Sequence, residues 1–242
     1  ETQARSETDT PTLNRISIAL HELSAMPKVS QRILDNASFD IEGWLTGYIA
    51  DVFARAEATA FVSGDGANKP KGFMSYAKST MADATRAAET LQYRATGVDG
   101  DFAAAPNAAD ALVRLFYDLQ PEYQLAASWM MTNTTMADVA VLKDGDGGFL
   151  LREMLNGDGA LVRTIMGRPV VQANDMPSRG SGTYAIAVGD FARGYTIIEN
   201  PAMAILRNPY TAAPNVLFFT TKRIGGGVTD FDAIKLLRFA TS

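Results

Sequence analysis

Four places in the chain carry residue types at spacings that can do chemistry. His21 is the only histidine, so a Ser-His-Asp triad or a histidine-based metal site would have to be built on it. It stands beside Glu22 in a strand-like stretch, where a partly exposed structural side chain is the simpler reading. Ser75-Tyr76-Ala77-Lys78 has the S-x-x-K spacing in which a lysine eases deprotonation of a serine nucleophile. Enzymes that use it also need S-D-N and K-T-G elements. The chain has neither, and the match reads as chance. Gly64-Asp65-Gly66 with Lys69 and Lys71 suggests a phosphate loop. A Walker pattern spaces its glycines more widely and ends in Gly-Lys-Ser/Thr. This loop does neither, and it follows a helix rather than opening one. A tight turn in which glycine supplies positive φ accounts for it. Asp144-Gly145-Asp146-Gly147-Gly148 begins like a calcium loop, but Gly148 and Leu155 stand where further oxygen ligands are needed. A weak ion site there stays open. The absence of cysteine excludes thiol catalysis, thiolate metal sites and disulfides. No catalytic set, cofactor or metal is therefore predicted.

The elements that position these residues form an α+β pattern. Ile41, Trp44, Leu45, Tyr48, Ile49, Val52, Phe53 and Ala56 recur three and four apart, which predicts a helix over 38–62. Ser38 or Asp40 caps it and Gly64, Gly66 and Pro70 end it. At 1.5 Å per residue it is a rod of roughly 34 Å. Gly43 and Gly47 each cost about 1 kcal/mol against alanine, so packing must hold it. Trp44, Tyr48 and Phe53 are assigned to that packing. Before it, 16–20 reads as a strand ended by Pro27, and 30–37 as a short helix. After it come short strands at 72–76 and 91–96, then a helix over 108–119 capped by Asn107. A strand at 126–131 leads into a helix from Thr132 or Asn133 to Leu142. Further strands are predicted at 161–165, 169–172, 184–189, 195–199, 203–207, 215–223 and 233–239. The hydrophobic fraction of 47% and charged fraction of 20% are those of an ordinary globular protein. A net charge of -5 argues against a basic nucleic-acid clamp. No run approaches a membrane span. The polar start and the lack of an initiating methionine suggest a processed product or fragment.

The order of these pieces resembles the tailed-phage major capsid family of the Hong Kong 97 type. The residues that carry the likeness begin with Pro27-Lys28-Val29-Ser30, Leu34-Asp35-Asn36-Ala37, the long helix, Gly64-Asp65-Gly66 and Pro70-Lys71-Gly72-Phe73. They continue with Trp129 to Asn133, Leu142-Lys143-Asp144, Gly167 to Val171, Gly189-Asp190-Phe191 and Arg223 to Val228. The resemblance covers roughly 10–240. It implies a peripheral domain (26–104) carrying the long helix as a spine, an axial mixed α/β domain (105–204) and closing strands shared between them (205–242). Residues 1–25 would be the returning strand of a partial extended loop. The implied function is a head-shell subunit. It would assemble into pentamers and hexamers around double-stranded DNA that is touched non-specifically, with a portal and a maturation protease as partners. The particle would be a phage, prophage or gene transfer agent head assembled in a bacterial cytoplasm.

The family's cross-linking member joins a lysine to an asparagine with help from a glutamate seven residues further on. Asn215-Val216-Leu217 resembles the asparagine segment, but Lys222 stands where the glutamate would be, and no lysine precedes Lys28. No autocatalytic cross-link is expected. Arg5, Arg15, Glu42, Arg55, Asp65, Lys69, Lys71, Lys143, Asp144, Asp146 and Asn215 are the candidate subunit-interface residues. Glu42, Asp51, Glu57 and Arg55 read as a solvated or subunit-facing stripe. Two other functions stand beside the shell: an encapsulin-type compartment with protein cargo, and a monomeric α/β hydrolase built on His21 or Ser75 and Lys78.

Overall fold

The structure, a computed structural model, describes residues 16–36, 40–104, 107–143, 147–155 and 161–241. Strands β1 (His21–Ala25) and β2 (Lys28–Ser30) lie either side of Pro27 and lead into the short helix α1 (Gln31–Asn36). Asp40 caps the long helix α2 (Ile41–Ser63), its carboxylate accepting from the Gly43 amide at 3.0 Å. Ser38, the other candidate cap, lies outside the described residues. A 3₁₀ turn at Phe73–Ser75 is followed by β3 (Ala77–Ser79) and β4 (Thr90–Ala95). Helices α3 (Asp110–Tyr117) and α4 (Pro121–Gln124) precede β5 (Ser128–Met131). Thr132 then caps α5 (Asn133–Ala140), the Thr135 amide donating to its hydroxyl at 3.2 Å. Strands β6 (Leu151–Leu155), β7 (Leu161–Ile165), β8 (Arg168–Gln172) and β9 (Tyr184–Gly189) follow. The one-turn helix α6 (Phe191–Gly194) opens into β10 (Tyr195–Asn208) and β11 (Asn215–Val228), and β12 (Ile234–Arg238) closes the chain.

These strands form two sheets. One has the order β1-β11-β10, with β2 also paired to β11. The other has eight strands in the order β3-β4-β12-β9-β5-β8-β7-β6. Two buried clusters fill the larger sheet. Leu112, Leu115 and Phe116 of α3 meet Trp129, Ile186 and Phe239 in one, and Val62, Phe73, Leu91 and Leu236 form the other. A third cluster joins Leu45, Ile49 and Phe53 of α2 to Val216 and Phe218 of β11. The end of α2 therefore reaches the larger sheet while its first half lies on the smaller one.

Several expectations are corrected. Residues 16–20 are not a strand. The strand starts at His21, where the backbone finds Thr220–Ile224 of β11 as an antiparallel partner. Pro27 has no N–H to donate, yet its carbonyl accepts from the Phe218 amide at 3.1 Å, and pairing with the same strand resumes in β2. Residues 73–75 are a 3₁₀ turn rather than a strand. Asn107 makes no side-chain cap, because a 3₁₀ turn at Asn107–Ala109 leads into α3. The two strands expected at 195–199 and 203–207 are one, with a bulge between Asn200 and Ala204. β6 was not expected at all.

Candidate functional site

Helix α2 has two parallel apolar stripes. Ile41, Leu45, Ile49 and Phe53 are buried. Trp44, Tyr48 and Val52 each lie one residue earlier, about 100° round the axis, and that turns them off the sheet. Trp44 is 60% and Tyr48 56% exposed, and their rings stack with centroids 5.9 Å apart. This overturns their assignment to the helix's own packing, although Phe53 does serve it. The apolar face is wider than the sheet that covers it.

The loop after α2 is held from several sides. The Gly64 amide bonds Ala60 O at 2.9 Å, and the Gly72 amide bonds Gly64 O at 2.9 Å. A Cβ on Gly72 would fall 2.5 Å from the Val62 backbone, so this closure needs glycine. Gly66 has φ +81°, the positive φ expected of the turn. Asp65 accepts from the Ala67 amide at 2.9 Å and lies 3.6 Å from the Lys69 ammonium. The amide bond, with help from Lys69, holds the Asp65 carboxyl below its ordinary range. Lys71 donates its amide to Gly226 O at 3.1 Å and lays its ammonium 4.0 Å from the Tyr76 ring centroid. Two cavities flank this end of the helix. One of about 250 Å³ lies among His21, Leu23, Ala60, Pro70 and Ile224, with Glu57 and Lys69 at its wall. The other, about 490 Å³, lies among Phe61, Phe73, Met130, Phe191 and Tyr195. Beside it, the Thr59 hydroxyl donates to Asp175 at 2.6 Å, tying α2 to the loop after β8.

Ser75 and Lys78 do not form a catalytic pair. The Ser75 hydroxyl donates to Gly64 O, while the Lys78 ammonium donates to Met74 O at 2.5 Å and Tyr76 O at 3.2 Å. Burial lowers the Lys78 pKa. Both groups hold backbone. His21 is half-buried on β1. Glu57 does not belong to a solvated stripe. It lies 2.8 Å from the Lys222 ammonium, which also reaches Glu199 at 3.1 Å. The bond to Glu57, then that to Glu199, raises the Lys222 pKa against the opposing effect of burial.

Of the interface candidates, Arg5, Arg15, Asp144 and Asp146 lie outside the described residues, as does the Glu42 side chain. Arg55 is exposed on α2. Asp65, Lys69 and Lys71 share the loop described above. Lys143 is exposed, bridged to Phe149 in backbone pairing, with its ammonium 5.3 Å from that ring. Asn215 opens β11 opposite Ser30.

A family model described as the phage capsid family matches residues 1–239. The chain belongs to that family. Among solved structures, the capsid of a native GTA particle computed with C5 symmetry is similar at 54% identity and a TM-score of 0.87, covering 99% of this chain and 79% of that one. The holo-SrpI encapsulin complex from Synechococcus elongatus PCC 7942 is 15% identical, with a TM-score of 0.61 over 91% of this chain and 74% of that one. Gordonia phage Cozz is 13% identical, with a TM-score of 0.54 over 98% and 78%. The last two show the shared Hong Kong 97-like fold alone. No curated protein sequence matches the chain.

For a phage capsid chain, one buried group had only a faint signal in the sequence. Lys235 of β12 is fully buried against Asp83, which also takes Arg86, and Arg86 in turn reaches Asp232. Asp83 and Arg86 lie in a polar stretch of no evident pattern. Only a lysine inside the apolar run Ala233–Phe239 hinted that a charge partner was needed.

Proposed function

We propose that this chain is a head-shell subunit of a gene transfer agent or closely related tailed-phage particle, assembling into pentamers and hexamers around double-stranded DNA. The observation that carries the reading is the 54% identity to a GTA capsid over 99% of the chain. The broad apolar face of α2 supports it, since an exposed stack of aromatic side chains on a rigid helix marks a contact surface. The subunit's work is structural: it buries interface and sets geometry. The working layout has a peripheral domain at 26–104, an axial domain at 105–204 and closing strands at 205–242. The loop around Asp65, Lys69 and Lys71, the axial loop at Lys143, and Arg55 and Asn215 are its candidate contacts. With a net charge of -5, DNA contacts are diffuse rather than base-reading. A portal and a maturation protease complete the particle, which is built in the bacterial cytoplasm. Among the described residues no helix is long and apolar enough to cross a membrane.

Electron microscopy of the purified native protein tests this reading. Closed shells tens of nanometres across with nuclease-protected DNA are expected. Shells holding protein cargo and no DNA would favour the encapsulin-type alternative, and a monomer from the full-length product would overturn both. On denaturing gels the shells should run as monomers, because Lys222 is engaged with Glu57 and Glu199 and no glutamate follows Asn215 at the cross-linking spacing. A covalent ladder would refute that expectation.

A further inference from the structure

The larger of the two cavities beside α2 is walled by aromatic rings and one carboxylate. Its volume is about 490 Å³, inside the range of about 300–1,000 Å³ typical of small-molecule sites. The rings are those of Phe61, Phe73, Phe191 and Tyr195. They stand as two inclined pairs. Phe61 and Tyr195 have centroids 5.8 Å apart at an interplanar angle of 65°, and Phe73 and Phe191 lie 5.8 Å apart at 64°. Rings set at such angles turn their π-faces in more than one direction. Buried Val62 and Phe73 close the inner end, while exposed Gln172 and Asn174 mark the mouth. The Tyr195 hydroxyl donates to Lys71 O at 3.0 Å, which fixes that ring through a residue outside the lining.

Charge selects the ligand. Among the described residues, Asp175 is the only charged side chain in this wall. It is held by the Thr59 hydroxyl, which donates to its Oδ1 at 2.6 Å. A carboxylate has about four acceptor sites, so one bond from Thr59 leaves it able to meet a cation. A phosphate or a nucleotide would face this carboxylate with no basic group to offset it. A bare ammonium is strongly hydrated and gives up much on entering an apolar space. An alkylated ammonium fits both features of the wall. Its charge is drawn to the π-faces and the carboxylate, and its methyl groups pack against the apolar floor. The smaller cavity differs, because Glu57 and Lys69 both stand at its wall and select no sign of charge. We propose that the aromatic cavity between α2 and the loop after β8 is a binding site for a small organic cation of the quaternary ammonium class, with Asp175 as counter-ion. This inference goes beyond the shell reading and does not depend on it.

Choline and its carbon isostere 3,3-dimethylbutan-1-ol have nearly the same shape and differ in charge. Titration calorimetry of the purified chain with each probe tests the site. Choline is expected to bind saturably at one site per chain, about tenfold or more tightly than the alcohol. Asp175→Asn keeps an acceptor for Thr59 and removes the charge, and Phe61→Leu keeps an apolar side chain and removes a ring. Each is expected to weaken choline about fivefold or more, with thermal unfolding unchanged. Asp175→Asn should leave binding of the alcohol as it was. The alcohol binding wild-type protein as tightly as choline would overturn the proposal, since the cavity would then be indifferent to charge. So would the absence of saturable binding at millimolar choline, a comparison that needs no variant. Choline binding that both substitutions leave unchanged would also overturn it, because the ligand would then sit elsewhere.

Discussion

Lys235 brings its ammonium into the interior with no solvent exposure, and the Asp83 carboxylate that meets it also receives Arg86. Asp83→Ala leaves two buried cations without that carboxylate. Breaking one side of a buried pair costs about 3–5 kcal/mol, and denaturant unfolding should show a loss of that size. Lys235→Met should cost clearly less, because it removes the buried charge, fills a similar volume and leaves Asp83 paired with Arg86. Equal losses would mean that packing rather than charge governs the site. The same pair sets a pH dependence. Burial raises the Asp83 carboxyl, but hydrogen bonds and charges from Lys235 and Arg86 reverse this and leave it below its ordinary 3.8. As acid is added, the unfolded chain takes up that proton first. The contribution is thus complete above about pH 4 and lost as pH falls through the lowered folded value. Thermal midpoints of the wild type and Asp83→Asn should differ at pH 6 and converge below pH 4. A gap that stays constant would rule out this linkage. None of this was legible beyond the odd lysine in an apolar run, because the partners lie far apart in sequence and no spacing rule joins them.

At the scale of elements, what could be read from the sequence depended on how local the cause was. The α2 helix was legible because its apolar period runs for more than four turns, from Ile41 to Ala56, and Asp40 stands at its start. The apolar positions of α3 were legible for the same reason. β1 was misplaced because Ile16 and Ile18 alternate as a strand would, while the actual strand is set by register on a partner some 200 residues away. β6, Leu151–Leu155, was missed because Leu, Arg, Glu and Met favour helix. It is a strand because it pairs along its whole length with β7. The triple glycine of β11 is also explained by its neighbours. A Cβ on Gly225 would lie 2.4 Å from Ala19 O, and one on Gly226 would lie 2.5 Å from the Tyr195 hydroxyl. The chain before β1 therefore lies directly on the strand. Gly225→Ala should displace that chain at an overpacking cost of about 1–3 kcal/mol. Limited proteolysis should then cut before His21 sooner than in the wild type. An unchanged cleavage rate would mean that residues 16–20 do not depend on this contact.

At the scale of the molecule, the fold covers one apolar stripe of a long helix and leaves the other, which carries Trp44 and Tyr48, uncovered. Sequence periodicity could find the apolar face of α2 but not how much of it one sheet would cover, since that depends on where β11 lies. The proposed shell supplies the missing cover. Burying the exposed half of one aromatic ring stabilises by about 2 kcal/mol at ~25 cal/mol per Å², too little to join two subunits but effective when repeated around a closed particle. The two tryptophans make this measurable. Trp129 is fully buried, its indole N–H donating to Ile165 O at 3.1 Å, whereas Trp44 is 60% exposed. In dissociated subunits, acrylamide should quench Trp44 and spare Trp129. On assembly, the quenchable fraction should fall and the emission should move to the blue. Trp44→Phe should abolish both changes, because the remaining tryptophan is buried in either state. If Trp44 in intact shells is quenched as readily as in subunits, the stripe faces solvent or the lumen. Assembly would then have to rest on the loops rather than on the spine.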